Sequence, residues 1–185
     1  DDGLQDKNIE YDLALVCFNQ KNKIGNGRVI PAGPLRENLD ILKNYKNIFL
    51  NGNDNENTSF KKFLSDKFPN LDFFETKYEI LNLKNFNKED QFIVFSGIGN
   101  HKTFIEMLRI NHFKIIEDFE YPDHYNYSIM DIKRINDTAV KYNAKILTTE
   151  KDFLRLNEKG QKNISFVKIF LKINQIGLLQ KKLNF

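Results

Sequence analysis

Tryptophan is absent from this 185-residue chain, cysteine occurs once, and there are only four prolines and two methionines. With Cys17 as the single thiol, no intrachain disulfide and no thiolate metal cluster can form, so a reducing compartment is expected. No run approaches the roughly 18 consecutive apolar residues of a membrane span. The polar first ten residues do not read as a signal peptide, so any membrane contact of this part is expected at the surface. A surplus of one charge is also missing. The 28 Lys and Arg against 25 Asp and Glu leave a net +3, which names no anionic partner, and no nucleic acid is expected as one.

What is present is a globular composition, 41% hydrophobic with 13% aromatic residues, in a length that suits one domain or two small lobes. Asn and Lys supply much of the polar content and Ile and Phe much of the apolar content. That skew resembles an AT-rich coding sequence, so lysine density by itself carries little functional weight. Cys17, inside "ALVCF", is expected as a small apolar residue of a buried strand.

Short apolar runs alternate with helical patterns, which predicts an α/β architecture. Strands are expected at Asp12–Phe18, Asn47–Leu50, Phe73–Leu83, Gln91–Ser96, Phe113–Phe119, Lys145–Thr149 and Ile164–Ile173. Helices are expected at Pro34–Tyr45, Ser59–Phe68, Lys102–Asn111, Ile129–Tyr142 and Phe153–Asn157. "NGNDNENTS" reads as a loop, and "LKNFNKEDQ" as the boundary between lobes at 1–87 and 88–185. From Gln91 onward, right-handed crossovers would give a parallel sheet covered on both faces. Ligands in such sheets bind outside the carboxyl ends of the strands, which directs attention to "FSGIGN", "FEYPDHY" and "LTTEKD".

In "FSGIGNHKTF", Gly97 and Gly99 stand between a strand and a helix. Lys102 occupies the third glycine position of a dinucleotide fingerprint, so a tight turn with positive φ and a close backbone approach explains the glycines as well as a nucleotide does. In "IGNGRVIPAGPLRENLDILKNY", Pro34 fits a first helical position. Glu37 then suits the helix dipole and Arg36 opposes it unless an anion lies between them, which leaves a phosphate-handling loop and a merely structural loop both open. Ser128 and Asp131 have the spacing of a helix cap. His124, beside Asp123 at a strand end, has no such local explanation and is a candidate catalytic or ligand residue. His101 and His112 flank a helix and read as surface residues. "TTEKD" reads as a solvated turn or a crevice wall. Phe60, Phe63, Leu64 and Phe68 on one helix face read as core, with interfacial membrane contact the minor alternative. The opening "DDGLQ" offers paired carboxylates, Asp1 and Asp2, suited to a hard cation such as magnesium. No G-x-x-x-x-G-K-[ST] phosphate loop occurs in the chain.

Taken in order, DDGLQ, GNGRVIPAGPLREN, FSGIGNHKTF, YPDHY and TTEKDFLRL resemble the tetraacyldisaccharide 4'-kinase family of lipid A biosynthesis over nearly the whole chain. The resemblance implies a three-layer, Rossmann-like or P-loop-kinase-like α/β fold. Its sheet would be mostly parallel with helices on both faces, in an incomplete amino-terminal lobe and a smaller carboxy-terminal α/β lobe. It implies transfer of the ATP γ-phosphate, with Mg²⁺, to the 4'-hydroxyl of a lipid A precursor disaccharide at the cytoplasmic face of the inner membrane. In that family the P-loop, a membrane-anchoring helix and an aspartate proposed as general base precede the DDG motif. This chain is therefore expected to be a carboxy-terminal part that is inactive without its P-loop half.

By motif, Asp1 and Asp2 would hold the metal and serve the reaction, with Gln5 beside them. Arg36 and Glu37 would line the reacting site, and His124 would pair with the general-base aspartate that the family carries before the DDG motif. Gly97, Gly99 and Asn100 would contact the cofactor. Asp6 stands where the family has histidine. The competing readings are a non-catalytic Rossmann-like remnant or partner-binding module, and an oxidoreductase resting on "GIGN" alone.

Overall fold

Eight strands among the described residues fall into two four-stranded sheets in the computed structural model, which describes residues 3–6, 8–52 and 54–183. The chain divides into two units, Asp1–Tyr78 with Leu171–Phe185, and Glu79–Phe170.

In the first unit, β1 (Leu15–Asn19), β2 (Asn47–Asn51) and β3 (Asp72–Ile80) run parallel in that order, and β8 (Ile169–Ile173) lies beside β3. Ile48 and Leu50 of β2 pack with Phe60 and Leu64 of α1 (Asp54–Lys67). Phe49, pointing the other way, packs with Phe74 and with Leu179 of α6 (Ile176–Lys182). Burial on both faces is why β2 reads as a continuous apolar run rather than an alternating one. Each fully buried aliphatic such as Leu64 stabilises the unit by roughly 1.5–3 kcal/mol.

Several expectations are corrected here. The helix expected from Pro34 is only a 3₁₀ turn, Leu39–Asn44, capped by the Asn38 side chain. The residues before it are held elsewhere: Leu35 N–H donates to the Arg28 carbonyl (3.1 Å) and Ile30 N–H to the Leu35 carbonyl (2.9 Å), an extended bridge that no helical turn can share. Pro34 is therefore not a first helical residue, and helix-dipole reasoning does not apply to Arg36 or Glu37. Cys17 is exposed rather than buried, on β1, which among the described residues lies at the edge of its sheet. The single strand expected at Ile164–Ile173 is two, β7 (Ile164–Val167) and β8. They part at Lys168, whose N–H donates to Asn82 Oδ1 and whose carbonyl accepts from Leu81 N–H.

In the second unit, β4 (Gln91–Ser96), β5 (Lys114–Glu120), β6 (Lys145–Thr149) and β7 form a parallel sheet in the order β5-β4-β6-β7. Phe92 and Val94 face α2 (His101–Ile110), meeting Phe104, Ile105 and Leu108. Ile93 and Phe95 face α3 (Ile129–Lys141), meeting Ile135 and Ala139. This unit has the three-layer, parallel arrangement expected from its strand and helix alternation. Two short helices, α4 (Glu150–Arg155) and α5 (Glu158–Gln161), connect β6 to β7. The division expected at 87/88 falls inside this unit, since the Phe86 ring packs 5.3 Å from that of Phe113 and 6.1 Å from that of Phe92.

Candidate active site at the carboxyl ends of β4 and β6

The chain leaves β4 toward β5 on one side and leaves β6 toward β7 on the other, so the connections diverge between β4 and β6. In open parallel sheets that divergence opens a crevice at the carboxyl ends of the strands. Thr148 Oγ1 donates to the Phe95 carbonyl at 2.7 Å and ties the two strand ends together.

Asp152, in the first turn of α4, is 0% exposed, so its charge must be met inside the protein. Its Oδ2 accepts from Thr149 Oγ1 (2.6 Å) and from the backbone N–H of Gly97 (3.2 Å), while Oδ1 lies 3.5 Å from Arg155 Nη1. Thr149 also accepts from Asp152 N–H, so the threonine and aspartate cap α4 reciprocally. "TTEKD" is thus not a solvated turn throughout, since its threonines and Asp152 are buried.

Arg155 carries this anchor outward. One end of its guanidinium donates to the Gly97 carbonyl (3.4 Å), and Nη2 lies 2.7 Å from His124 Nδ1. The backbone N–H of His124 also donates to the Gly97 carbonyl (3.1 Å), and His124 has φ +61°. Gly97 is favoured by crowding rather than by positive φ. A Cβ there would lie 3.0 Å from the Pro122 carbonyl oxygen, 3.0 Å from the Tyr127 hydroxyl and 3.2 Å from Tyr125 Cβ. Gly99 has no such crowding, its nearest neighbour being Asp123 Oδ2 at 3.5 Å. Asn100 caps α2, its side chain accepting from Thr103 N–H at 3.1 Å.

Three tyrosine rings, from Tyr121, Tyr125 and Tyr127, pack with centroids 4.9–5.4 Å apart on the α3 side of this cluster. Burial, and then the neighbouring Asp152 carboxylate, push the Tyr127 phenol far above its ordinary value. Asp131 is held below the ordinary carboxyl value, first by the Ser128 hydroxyl. Ser128 and Asp131 form the capping box expected from their spacing.

His101 departs from its reading as a surface residue. It is 3% exposed, with Nδ1 2.7 Å from Ser96 Oγ and Nε2 2.8 Å from Asp118 Oδ1. His112 is exposed. The structure therefore brings His124 together with Gly97 and with Asp152 of the TTEKD strand end, and adds Arg155, which sequence reasoning did not single out. The T-x-x-D spacing of Thr149 and Asp152 was a readable signal of a cap, the same one that Ser128 and Asp131 carry.

In the first unit, the "GNGRVIPAGPLR" loop is internally braced. Asn26 Nδ2 donates to the Ala32 carbonyl (2.8 Å), and Asn26 Oδ1 accepts from Arg28 N–H (3.1 Å). A Cβ on Gly33 would collide with Asn26 Oδ1 at 2.1 Å and the Arg28 carbonyl oxygen at 2.4 Å, so the loop closes only around glycine. Arg36, exposed, and Glu37, half-buried, follow this loop directly. Asp1 and Asp2 lie outside the described residues, as does the side chain of Gln5. Among the described residues no group of three or more His, Cys, Asp or Glu side chains is placed to hold a metal, and no helix is long and apolar enough to cross a membrane.

A family model described as LpxK, tetraacyldisaccharide-1-P 4'-kinase, matches residues 1–184. A tetraacyldisaccharide 4'-kinase of Pelagibacter ubique is 51% identical over 183 residues, covering 99% of this chain and 58% of that protein. One from Rickettsia typhi is 32% identical over 185 residues, covering 99% of this chain and 55% of its own length. A crystal structure of LpxK from Aquifex aeolicus, described as an "apo" form in complex with ATP, matches with a TM-score of 0.66 at 26% identity, over 99% of this chain and 55% of that one. The chain thus spans a little over half the length of these relatives.

Proposed function

Since the chain belongs to the tetraacyldisaccharide-1-P 4'-kinase family, we propose that it is the carboxy-terminal part of such a kinase, one that phosphorylates the 4'-hydroxyl of the lipid A precursor disaccharide with ATP. The observation that carries this reading is the match from residue 1 to 184, which takes in both the braced glycine loop before Arg36 and the strand-end cluster around His124.

Phosphoryl transfer is mainly a matter of positioning reactants and neutralising charge. Arg36 and Glu37 would face the reacting groups, the arginine offering a fixed positive charge. His124 would hold, through its ring, the carboxylate that accepts the substrate proton. The residues that would hold magnesium are Asp1 and Asp2, oxygen donors suited to a hard cation, and bound there the ion would neutralise phosphate charge. Gln5 would stand beside them. Gly97, Gly99 and Asn100 would stand toward the cofactor at the β4 end, although the Gly97 N–H is already engaged by Asp152 and its Cα is packed against Tyr125 and Tyr127. Work on a lipid substrate would place the protein at the cytoplasmic face of the inner membrane.

The test is a γ-phosphate transfer assay on the isolated chain and on the chain mixed with the amino-terminal part of a full-length relative that carries the P-loop. No transfer is expected alone, and transfer is expected with the added part. Robust transfer by the isolated chain would remove the assignment of the phosphate cradle to the preceding part. No transfer by the mixture, with both parts folded and associated, would favour the non-catalytic remnant.

A further inference from the structure

We propose that Arg155 is the positioning residue for His124, braced from behind by the buried Asp152, and that it fixes which ring nitrogen of His124 carries the proton. The catalytic consequence rests on the reading of His124 given above; the proton assignment does not.

Arginine offers only donors and remains charged at every accessible pH. Whichever imidazole nitrogen it meets must therefore be the bare one. Arg155 Nη2 meets Nδ1 at 2.7 Å, so the proton of the neutral ring resides on Nε2. An imidazolium would have no lone pair to offer this contact. The arginine is itself held at two further points, the Gly97 carbonyl at 3.4 Å and Asp152 Oδ1 at 3.5 Å. Its side chain is only 22% exposed and that of Asp152 is 0% exposed, whereas the His124 side chain is 70% exposed. The rigidity therefore comes from the arginine side of the pair, and the histidine is what it presents. A planar fork can reach a carbonyl, a carboxylate and a ring nitrogen together; a lysine ammonium on a flexible stem fits that geometry poorly.

The outward Nε2–H is a donor, 3.8 Å from Asp123 Oδ2. It suits a histidine that donates to an incoming carboxylate and holds it in place. It does not suit a histidine that takes the substrate proton at Nε2 itself. Arg155 acts on the reaction only through that ring, in the way that groups behind a metal-bound histidine set its tautomer.

The first measurement is ¹⁵N NMR of the His124 ring in this chain, in mildly alkaline buffer, with Arg155→Met and Arg155→Lys beside the wild type. Expected in the wild type is a bare Nδ1 and a protonated Nε2 with widely separated shifts. Arg155→Met should draw the two shifts toward each other, and Arg155→Lys should restore the separation only in part. A protonated Nδ1 in the wild type, or shifts unmoved by Arg155→Met in a protein whose remaining spectrum shows it folded, would overturn the proposal.

The second measurement uses the two-part mixture. Arg155→Met should lower kcat about 10–100-fold with the KM for ATP within about twofold. Combined with His124→Ala it should cost no more than His124→Ala alone, because the two act as one unit. Additive losses would show that Arg155 does not act through His124. An inactive wild-type mixture removes the kinase reading instead, and leaves the NMR result to decide the positioning.

Discussion

His101 Nε2 lies 2.8 Å from Asp118 Oδ1, which joins the first residue of α2 to the middle of β5, and the other ring nitrogen reaches Ser96 at the end of β4. This side chain links two neighbouring strands and the helix that crosses between them. His101→Leu should leave the fully buried Ser96 hydroxyl without a partner and cost about 1–3 kcal/mol in urea denaturation. The double variant with Ser96→Ala should recover part of that loss, because two apolar groups need no partner. Equal stability of wild type and His101→Leu would show that the bridge contributes nothing.

Gly97 and Gly99 should separate cleanly. Gly97→Ala forces contacts of 3.0–3.2 Å with Pro122, Tyr127 and Tyr125, and should cost about 1–3 kcal/mol. Gly99→Ala meets only ordinary contacts and should stay within about 0.5 kcal/mol of wild type. Thermal melts of the two variants decide the matter; identical shifts would mean that the loop relaxes around either methyl.

The Ser128–Asp131 box predicts acid sensitivity. Asp131 is held below its ordinary value of 3.8, so its contribution to stability is fully present above that value and is lost as pH falls through the lowered one. Asp131→Asn should therefore be less stable than wild type near neutrality, and its disadvantage should shrink in acid. Ser128→Ala should cost about 1 kcal/mol at neutral pH through the lost cap. A pH series of urea midpoints gives both, and a constant gap between wild type and Asp131→Asn down through the acid range would contradict the assignment.

For the reaction itself, His124→Ala in the two-part mixture should slow transfer about 10²–10⁴-fold, the range for a residue of an acid–base pair. The same substitution should leave the thermal midpoint of the isolated chain nearly unchanged, because the side chain is 70% exposed. A large stability loss with normal transfer would reverse the roles assigned to it.

The sequence by itself determined the class of fold and the family, for reasons that are local. Strands such as Gln91–Ser96 and Lys145–Thr149, and the helix Ile129–Lys141, announce themselves by apolar periodicity and by caps three residues apart, and the matched motifs lie in order along the chain. Local pattern also placed His124 at a strand's carboxyl end. The tertiary structure decided what lies around it. Asp152 reaches the Gly97 N–H across 55 residues of chain and Arg155 reaches His124 across 31, separations at which periodicity carries no information. Burial of His101 and Asp152, and the bridge at Leu35 that displaces the expected helix start, likewise depend on groups brought near only by folding. A charged or polar side chain reads as solvated until the chain supplies its partner, and for these residues at least one partner comes from another strand or the loop that follows it.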